Sequence, residues 1–181
     1  MIGVRADPPD MHIGVVSDTH DNYAAAETIA AEFADRDIGT VCHCGDFIAP
    51  PLLAAFEDYD FAFHGVLGNN DGERDGLETT IDGMNDRSRL HGRFATLEFD
   101  GTTVHMLHGD QGIDEVNARA RSGEYDYVCY GHFHVAEQRE EDGTTVLNPG
   151  AHFPTVPEEN RSVAVIDTDA DTVEFVGIEQ D

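Results

Sequence analysis

A strand that alternates polar and apolar residues can leave one face in water, but "HIGVVS" (12–17), "TVCHC" (40–44) and "FAFHGVL" (61–67) are close to continuously apolar. Runs of about five residues that are apolar on both faces must be covered on both faces, which is the condition of a strand inside a parallel sheet. The segments between them supply the cover. "YAAAETIAAEFADRD" (23–37) is Ala-rich and predicts a helix. "PPLLAAFED" (50–58) opens with Pro, which suits a first helical turn because the missing N–H has no partner there in any case. The order is βαβαβ, so a parallel sheet is expected.

After residue 90 the pattern shifts to shorter strands joined by Gly-containing turns. "FATLEFD" and "TVHMLH" (103–108) flank "DGTT" and read as a hairpin. A helix is expected over 113–121, then strands at "YDYVCY" (125–130), "VAEQRE", "TTVLN", "SVAVID" and "TVEFVGI". Two packed sheets with helices outside reconcile the halves within one domain, and 181 residues suit one domain. Residues 1–10 read as an N-terminal extension to a single unit over 11–181, with Met11 as an alternative start. The loop "PTVPEEN" (154–160) and the acidic C-terminal end read as solvated.

The formal charge is −27, from 37 Asp plus Glu against 10 basic residues, every one of them Arg. A surface this acidic repels polyanions, which disfavours both nucleic acid held by a broad basic patch and attachment to an anionic membrane. Self-repulsion at low salt should destabilise the compact state, whereas molar salt shortens the Debye length to roughly 3 Å and removes that penalty. A halophilic chain working in a salt-rich cytoplasm is the expectation. "MIGVRADPPDM" holds no apolar segment of signal-peptide length and no run approaches a membrane span, which also points to the cytoplasm. Cys42, Cys44 and Cys129 are odd in number and lie in apolar runs, so they read as small buried side chains and not as disulfides.

The polar residues at the end of each buried run carry the functional information. "IGVVS" ends in Asp18-Thr19-His20 and "VCHCG" in Asp46. "HGVLG" ends in Asn69-Asn70-Asp71, "VHML" in His108, and "YVCYG" in His132-Phe133-His134. In open α/β sheets ligands bind outside the carboxyl ends of the strands, so these side chains can converge. Asp and Asn are ordinary turn residues, and a lone His is more often a bystander, but turn chemistry does not account for His at several strand ends. Two carboxylates, an amide oxygen and four imidazoles form a mixed O/N set that suits Mn²⁺, Fe, Zn²⁺ or Ni²⁺ and is poor for Ca²⁺. Seven ligands exceed one tetrahedral ion, but a bridging carboxylate divides them into two sites of the kind found in two-metal hydrolases.

The ordered set "DTH" (18–20), "GD" (45–46), "GNND" (68–71), "HG" (108–109) and "GHFH" (131–134) resembles the calcineurin-like metallophosphoesterases. In its small size the chain is similar to their bacterial and archaeal phosphodiesterase branch, and the likeness spans roughly residues 12–150. The resemblance implies an α/β fold, a four-layer αββα sandwich of two mixed β-sheets flanked by helices, with a dinuclear centre at the strand ends. Carried over by position, Asp18, His20, Asp46 and His134 hold the first ion, and Asp46 bridges to a second that Asn69, His108 and His132 complete. The implied cofactors are two divalent ions, Mn²⁺ first, with Ni²⁺, Zn²⁺ or Fe as alternatives. The implied reaction is hydrolysis of a phosphoester by a hydroxide that the ions activate and Asp46 helps to hold. "NPG" (148–150) also resembles a family turn near the site.

One position departs from the pattern. Many relatives carry His directly after the motif's first Asn, on the substrate side, and here that residue is Asn70. A neutral amide donates a hydrogen bond but delivers no proton near neutral pH, so good leaving groups such as aryl phosphodiesters should be favoured.

His43, His64 and His105 lie inside apolar runs and read as satisfied core residues. His12, His91 and His152 carry no motif, although His152 follows the "NPG" turn. Asp71 and Asp110 read as loop-fixing, and Arg119 and Arg121 as a solvated helix face. A second reading is an interaction scaffold on the same fold, for which the retromer subunit that resembles these phosphoesterases is the precedent. All seven metal positions hold competent side chains, which favours the enzyme acting on a small-molecule phosphoester. A third reading, a nucleotide-binding α/β domain, lacks its glycine pattern after "VVSDTHDN". A homo-oligomer is compatible with the composition.

Overall fold

The computed structural model describes residues 12–179, so the 1–10 extension and the Met11 start lie outside the described residues. The first half follows the expected alternation: β1 (His12–Val16), α1 (Tyr23–Asp35), β2 (Thr40–His43), α2 (Ala54–Glu57) and β3 (Ala62–Gly65), with the three strands parallel. The helix expected over 50–58 begins as a tighter 3-10 turn, Pro50–Leu53, a form common at helix N-termini. Asn22 caps α1, its side-chain oxygen accepting from the Ala25 backbone N at 3.2 Å.

Two elements have no counterpart in the sequence reading, α3 (Arg74–Met84) and the two-residue β4 (Arg89–Leu90). The α3 segment "RDGLETTIDGM" is mostly polar and holds two Gly. It is held by Leu77 and Ile81, one turn apart and both 0% exposed. Tertiary burial here overrides a weak local propensity.

The second half runs β5 (Phe94–Phe99), β6 (Thr102–Leu107), α4 (Ile113–Ala120), β7 (Tyr127–Cys129), β8 (Glu137–Glu141), β9 (Thr144–Asn148), β10 (Ser162–Asp167) and β11 (Thr172–Gly177). The β5/β6 hairpin turns on Asp100 and Gly101, at φ 46° and 91°, the sign pattern of a type I′ turn.

One sheet has the order β11-β10-β1-β2-β3-β4 and the other β5-β6-β7-β9-β8. Both are mixed, since β10 pairs antiparallel with β1, and β5 and β8 pair antiparallel with β6 and β9. Three clusters define the layers. Phe33, Phe56, Phe63, Leu77 and Ile81 pack α1, α2 and α3 on the outer face of the first sheet. Ile13, Val15, Met106, Tyr127 and Leu147 fill the space between the sheets, and Val116, Ala120, Val128 and Tyr130 pack α4 on the outer face of the second. The result is the αββα sandwich.

Cys42, Cys44 and Cys129 are free and buried, as expected, and burial pushes the Cys129 thiol up to about 12, which leaves it inert. The 154–160 loop departs from the solvated reading at Val156, which is 2% exposed, because an apolar side chain folded back under the loop gains more than one left in water. No helix among the described residues is long and apolar enough to cross a membrane.

Candidate metal centre

The strands β1, β2, β3, β6 and β7 all deliver their carboxyl ends to one seam between the sheets. Asp18 and His20 follow β1, Asp46 follows β2, and Asn69 and Asn70 follow β3. His108 follows β6, and His132 and His134 follow β7. The backbone turns sharply at these points: Asp18, His20, Asp46, His132 and His134 have φ of 53°, 45°, 59°, 67° and 57°. The left-handed region is sparsely used by residues with a Cβ, and several such residues in one place indicate strain stored at a functional site. Hydrogen bonds between loops maintain it, with Asp18 N donating to the Gly45 carbonyl at 3.0 Å and His20 N to the Asp46 carbonyl at 3.1 Å.

Two groups of candidate ligands emerge, Asp18 with His20 and His134, and Asp18 with Asp46 and His108, the ligand atoms of each lying within 4.8 Å of one another. Asp18 Oδ1 is 3.1 Å from His134 Nε2 and 3.6 Å from His20 Nε2. Asp46 Oδ2 is 3.4 Å from His20 Nε2 and 3.3 Å from His108 Nε2, so one carboxylate oxygen lies between imidazoles from different motifs. Asp18 is 0% and Asp46 1% exposed.

The remaining positions sit differently. His132 lies in neither group: its backbone N donates to Asp18 Oδ2 at 3.0 Å, and its ring stands edge-on to His108 with centroids 5.2 Å apart. Asn69 is exposed and makes no side-chain hydrogen bond among the described residues. Asn70 instead grips Asp46, its backbone N on Oδ1 at 2.9 Å and its amide Nδ2 on Oδ2 at 2.7 Å.

The donor chemistry fits divalent cations. His108 uses Nδ1 on the Cys44 carbonyl at 2.8 Å, which directs Nε2 at the carboxylates, and this pattern of a ring nitrogen fixed from behind recurs in metal-binding histidines. Nε2 of His20 and of His108 are both buried without a hydrogen-bond partner. A buried polar atom left without a partner costs about 1–3 kcal/mol, and a cation would remove that cost. Among the described residues no Arg pairs with Asp18 or Asp46, and imidazoles are the cationic groups that meet these two buried carboxylates.

The electrostatics carry the same signature. Burial alone would raise the Asp18 pKa, but the His134 hydrogen bond and the nearby His20 and His108 imidazoles outweigh it and hold the carboxyl well below its usual range. Asp46 is lowered in the same way, with burial outweighed by His108 and Asn70. His20 and His108 are raised: burial opposes their protonation, and the two carboxylates overcome it. The two carboxylates thus favour positive charge at the ring atoms that face them.

Several supporting residues escape the sequence reading. Ser17 Oγ donates to Asp18 Oδ2. His43, fully buried, accepts the Gly45 N–H on Nδ1 at 3.2 Å and so presents Nε2–H to Thr19 Oγ1 at 3.0 Å, tying the first two motifs together. Arg93 donates to the Gly68 carbonyl at 3.1 Å and to the Asp110 carboxylate, which links the loop of Asn69 to the loop of His108 across the two sheets. Adjacency to a motif signals Ser17, but nothing local to Arg93 signals its role. Asp71 fixes loops as expected, accepting from Asp46 N, Ile48 N and Gly68 N. Asn148 of "NPG" donates to the Gly131 carbonyl at 3.0 Å. A Cβ on Gly131 would collide with Ser17 Oγ and Asp18 Oδ2, and one on Gly68 with Asp46 Oδ1, so these glycines allow backbone to reach the carboxylates.

Of the remaining histidines, His64 Nδ1 and His91 Nε2 pair at 3.0 Å, and His105 meets Thr96 Oγ1 at 2.9 Å while its Nε2 has no partner.

A four-layer sandwich with buried carboxylates and imidazoles gathered at its strand ends has the make-up of a metal-dependent hydrolase. The model of the calcineurin-like phosphoesterase superfamily domain matches residues 11–171, and the chain belongs to that superfamily. It is 32% identical over 163 residues to a phosphodiesterase of Methanocaldococcus jannaschii, across 88% of this chain and 94% of that protein. A solved archaeal phosphodiesterase superposes with a TM-score of 0.84 at 30% identity, covering 93% of this chain and 100% of that one. The Vps29 structure from Chaetomium thermophilum is similar in fold, with a TM-score of 0.65 at 15% identity, covering 93% of this chain and 97% of that one.

Proposed function

We propose that the chain is a metal-dependent phosphodiesterase with one catalytic domain over 11–181. Asp18, His20, Asp46 and His134 would hold one divalent ion, and Asp46, Asn69, His108 and His132 a second, with Mn²⁺ as first choice and Ni²⁺, Zn²⁺ or Fe as alternatives. The observation that carries this reading is Asp46 Oδ2, buried and within 3.4 Å of His20 Nε2 and 3.3 Å of His108 Nε2, neither of which has a hydrogen-bond partner.

Bound there, the ions would acidify water and set positive charge against the phosphate oxygens, the chemistry that two-metal sites supply. The residues of the chain orient that chemistry. Asp46 would join the two halves of the centre, while the Cys44 carbonyl fixes the His108 tautomer and Asn70 fixes the Asp46 carboxylate. An acidic protein would thereby accept an anionic substrate, because local cationic charge acts against the global field.

The test is a metal-stripped preparation assayed on aryl phosphodiester and phosphomonoester, with Mn²⁺, Ni²⁺, Zn²⁺ or Mg²⁺ restored in high salt. Absence of metal-dependent hydrolysis would refute the reading. The scaffold alternative draws support from the likeness to Vps29, which concerns the fold alone, while the gathering of Asp18, His20, Asp46, His108 and His134 supports the enzyme.

Asn70 refines the substrate preference. Its amide meets Asp46 and has no proton to give a leaving group. General acid catalysis contributes about 10²–10⁴-fold, so Asn70→His is expected to raise turnover of alkyl or nucleotide diesters relative to aryl ones by about tenfold or more. An unchanged ratio of the two rates counts against this role.

The charge of −27 supports a halophilic enzyme of a salt-rich cytoplasm, acting on a small phosphoester and not on nucleic acid held by a basic patch. The melting temperature and activity should both rise from low to molar salt as repulsion is screened. Equal values at the two extremes would remove the halophilic reading. A homo-oligomer is compatible with this reading and is not required by it.

A further inference from the structure

A cleft of about 630 Å³ opens beside His20, between the first turns of α1 and the 154–161 segment, and is walled by Ala24, Thr28, Pro154, Arg161 and Glu179. Its volume is in the range of small-molecule sites, roughly 300–1,000 Å³. The small side chains on this face of α1 leave the depth open. A phosphomonoester would need only the metal centre, whereas a diester brings a second organic group that must be accommodated next to it.

Arg161 gives the cleft its chemistry. Its Nε donates to the Val156 carbonyl at 2.8 Å and one Nη to the Pro154 carbonyl at 3.0 Å, so the guanidinium is held in place by groups that do not cancel its charge. Arg36, Arg87, Arg89, Arg93, Arg119, Arg121 and Arg139 all form salt bridges. Arg161, like Arg74, forms none among the described residues, in a chain with 37 acidic side chains. Arg161, anchored and outside any ion pair, lines this cleft together with Asp21 and Glu179, and the cleft adjoins the proposed metal centre through His20; a guanidinium so placed favours acceptor oxygens.

We infer that this cleft receives one ester group of a phosphodiester, a nucleoside-sized group whose carbonyl or hydroxyl oxygens accept from Arg161. This rests on the phosphodiesterase reading and adds the substrate class. The test compares two esters with the same leaving group, thymidine 5′-(p-nitrophenyl phosphate) and methyl p-nitrophenyl phosphate, on the full chain loaded with Mn²⁺. The wild-type chain should prefer the thymidine ester by about tenfold in kcat/KM, chiefly through KM. Thr28 is exposed on α1, so Thr28→Phe fills the cleft without touching the core and should cut that preference at least about fivefold, again through KM. Arg161→Gln should act in the same direction.

No wild-type preference, or a ratio unmoved by Thr28→Phe, overturns the inference. If neither ester is hydrolysed with any metal, the phosphodiesterase reading itself fails. Calorimetric binding of thymidine 5′-phosphate to the metal-loaded chain then still tests the cleft: a Kd about tenfold weaker in Thr28→Phe supports it and an equal Kd overturns it.

Discussion

Asp46→Asn is expected to abolish metal-dependent phosphodiester hydrolysis, with a loss well above a hundredfold in kcat/KM. Changing a partner that merely orients a metal ligand already costs about 10–100-fold, and in the proposed arrangement Asp46 would touch both ions. The substitution keeps the volume and removes the charge. It also removes an acceptor, because Asp46 takes the Asn70 backbone N–H on one oxygen and the Asn70 side-chain amide on the other. An asparagine there has one acceptor oxygen, so in either orientation one Asn70 donor faces an NH₂ group. The variant should still fold, since the side chain it replaces is isosteric. Metal stoichiometry measured together with kcat/KM checks the prediction, and a fully active variant would sink the bridging role of Asp46.

The metal-free protein is expected to be most stable near pH 6.5 and to lose stability steeply on the acid side. His43 is held down to about 3 and His152 to about 4, burial being the main cause in both. Geometry supports this for His43, whose Nδ1 accepts the Gly45 N–H; a proton placed there would set two N–H groups against each other. Below the unfolded value of about 6.5 the unfolded chain binds protons that the folded chain refuses, so stability falls as pH drops from 6.5 towards the folded values. Two such groups give a limiting slope of about 2.7 kcal/mol per pH unit.

His64 and His105, each held at about 4, act in the same direction. His20 and His108 act oppositely, because their folded pKa values are raised: their contribution is complete below about 6.5 and is lost as pH rises through the folded values. Asp18 and Asp46 are lowered, and their contribution is lost only at still lower pH. Urea midpoints of metal-stripped protein in molar salt from pH 4.5 to 8 would map both limbs. A flat profile between about pH 6.5 and 5 would contradict the neutral state of His43 and His152.

Much of this fold is legible because its signals are local. "IGVV" is apolar on both faces whatever lies next to it, and the Asp-Gly pair at 100–101, between two alternating runs, suits a two-residue turn at positive φ. α3 is not legible in the same way, since "RDGLETTIDGM" becomes a helix only where Leu77 and Ile81 find the outer face of a sheet. The same division runs through the site. Asp18, Asp46, His108 and His134 stand out in sequence because polar residues end apolar runs. Arg93, which links two site loops, stands in an ordinary strand-leading position and depends on Asp110 and Gly68, 17 and 25 residues away. Asn69 and Asn70 are neighbours in an exposed turn whose roles the motif separates, and the folded chain adds that Asn70 lies on Asp46.

The sequence by itself thus determined which strands are buried on both faces and which chemical groups stand at their carboxyl ends, since both depend on residue type and spacing along the chain. Only the tertiary structure decided which groups meet. Asp18 reaches His134 across 116 residues, and the Cys44 carbonyl selects the His108 tautomer across 64. Hydrogen bonds weaken steeply outside a narrow range of distance and angle, so they depend on how two sheets pack against each other, and no local pattern carries that information.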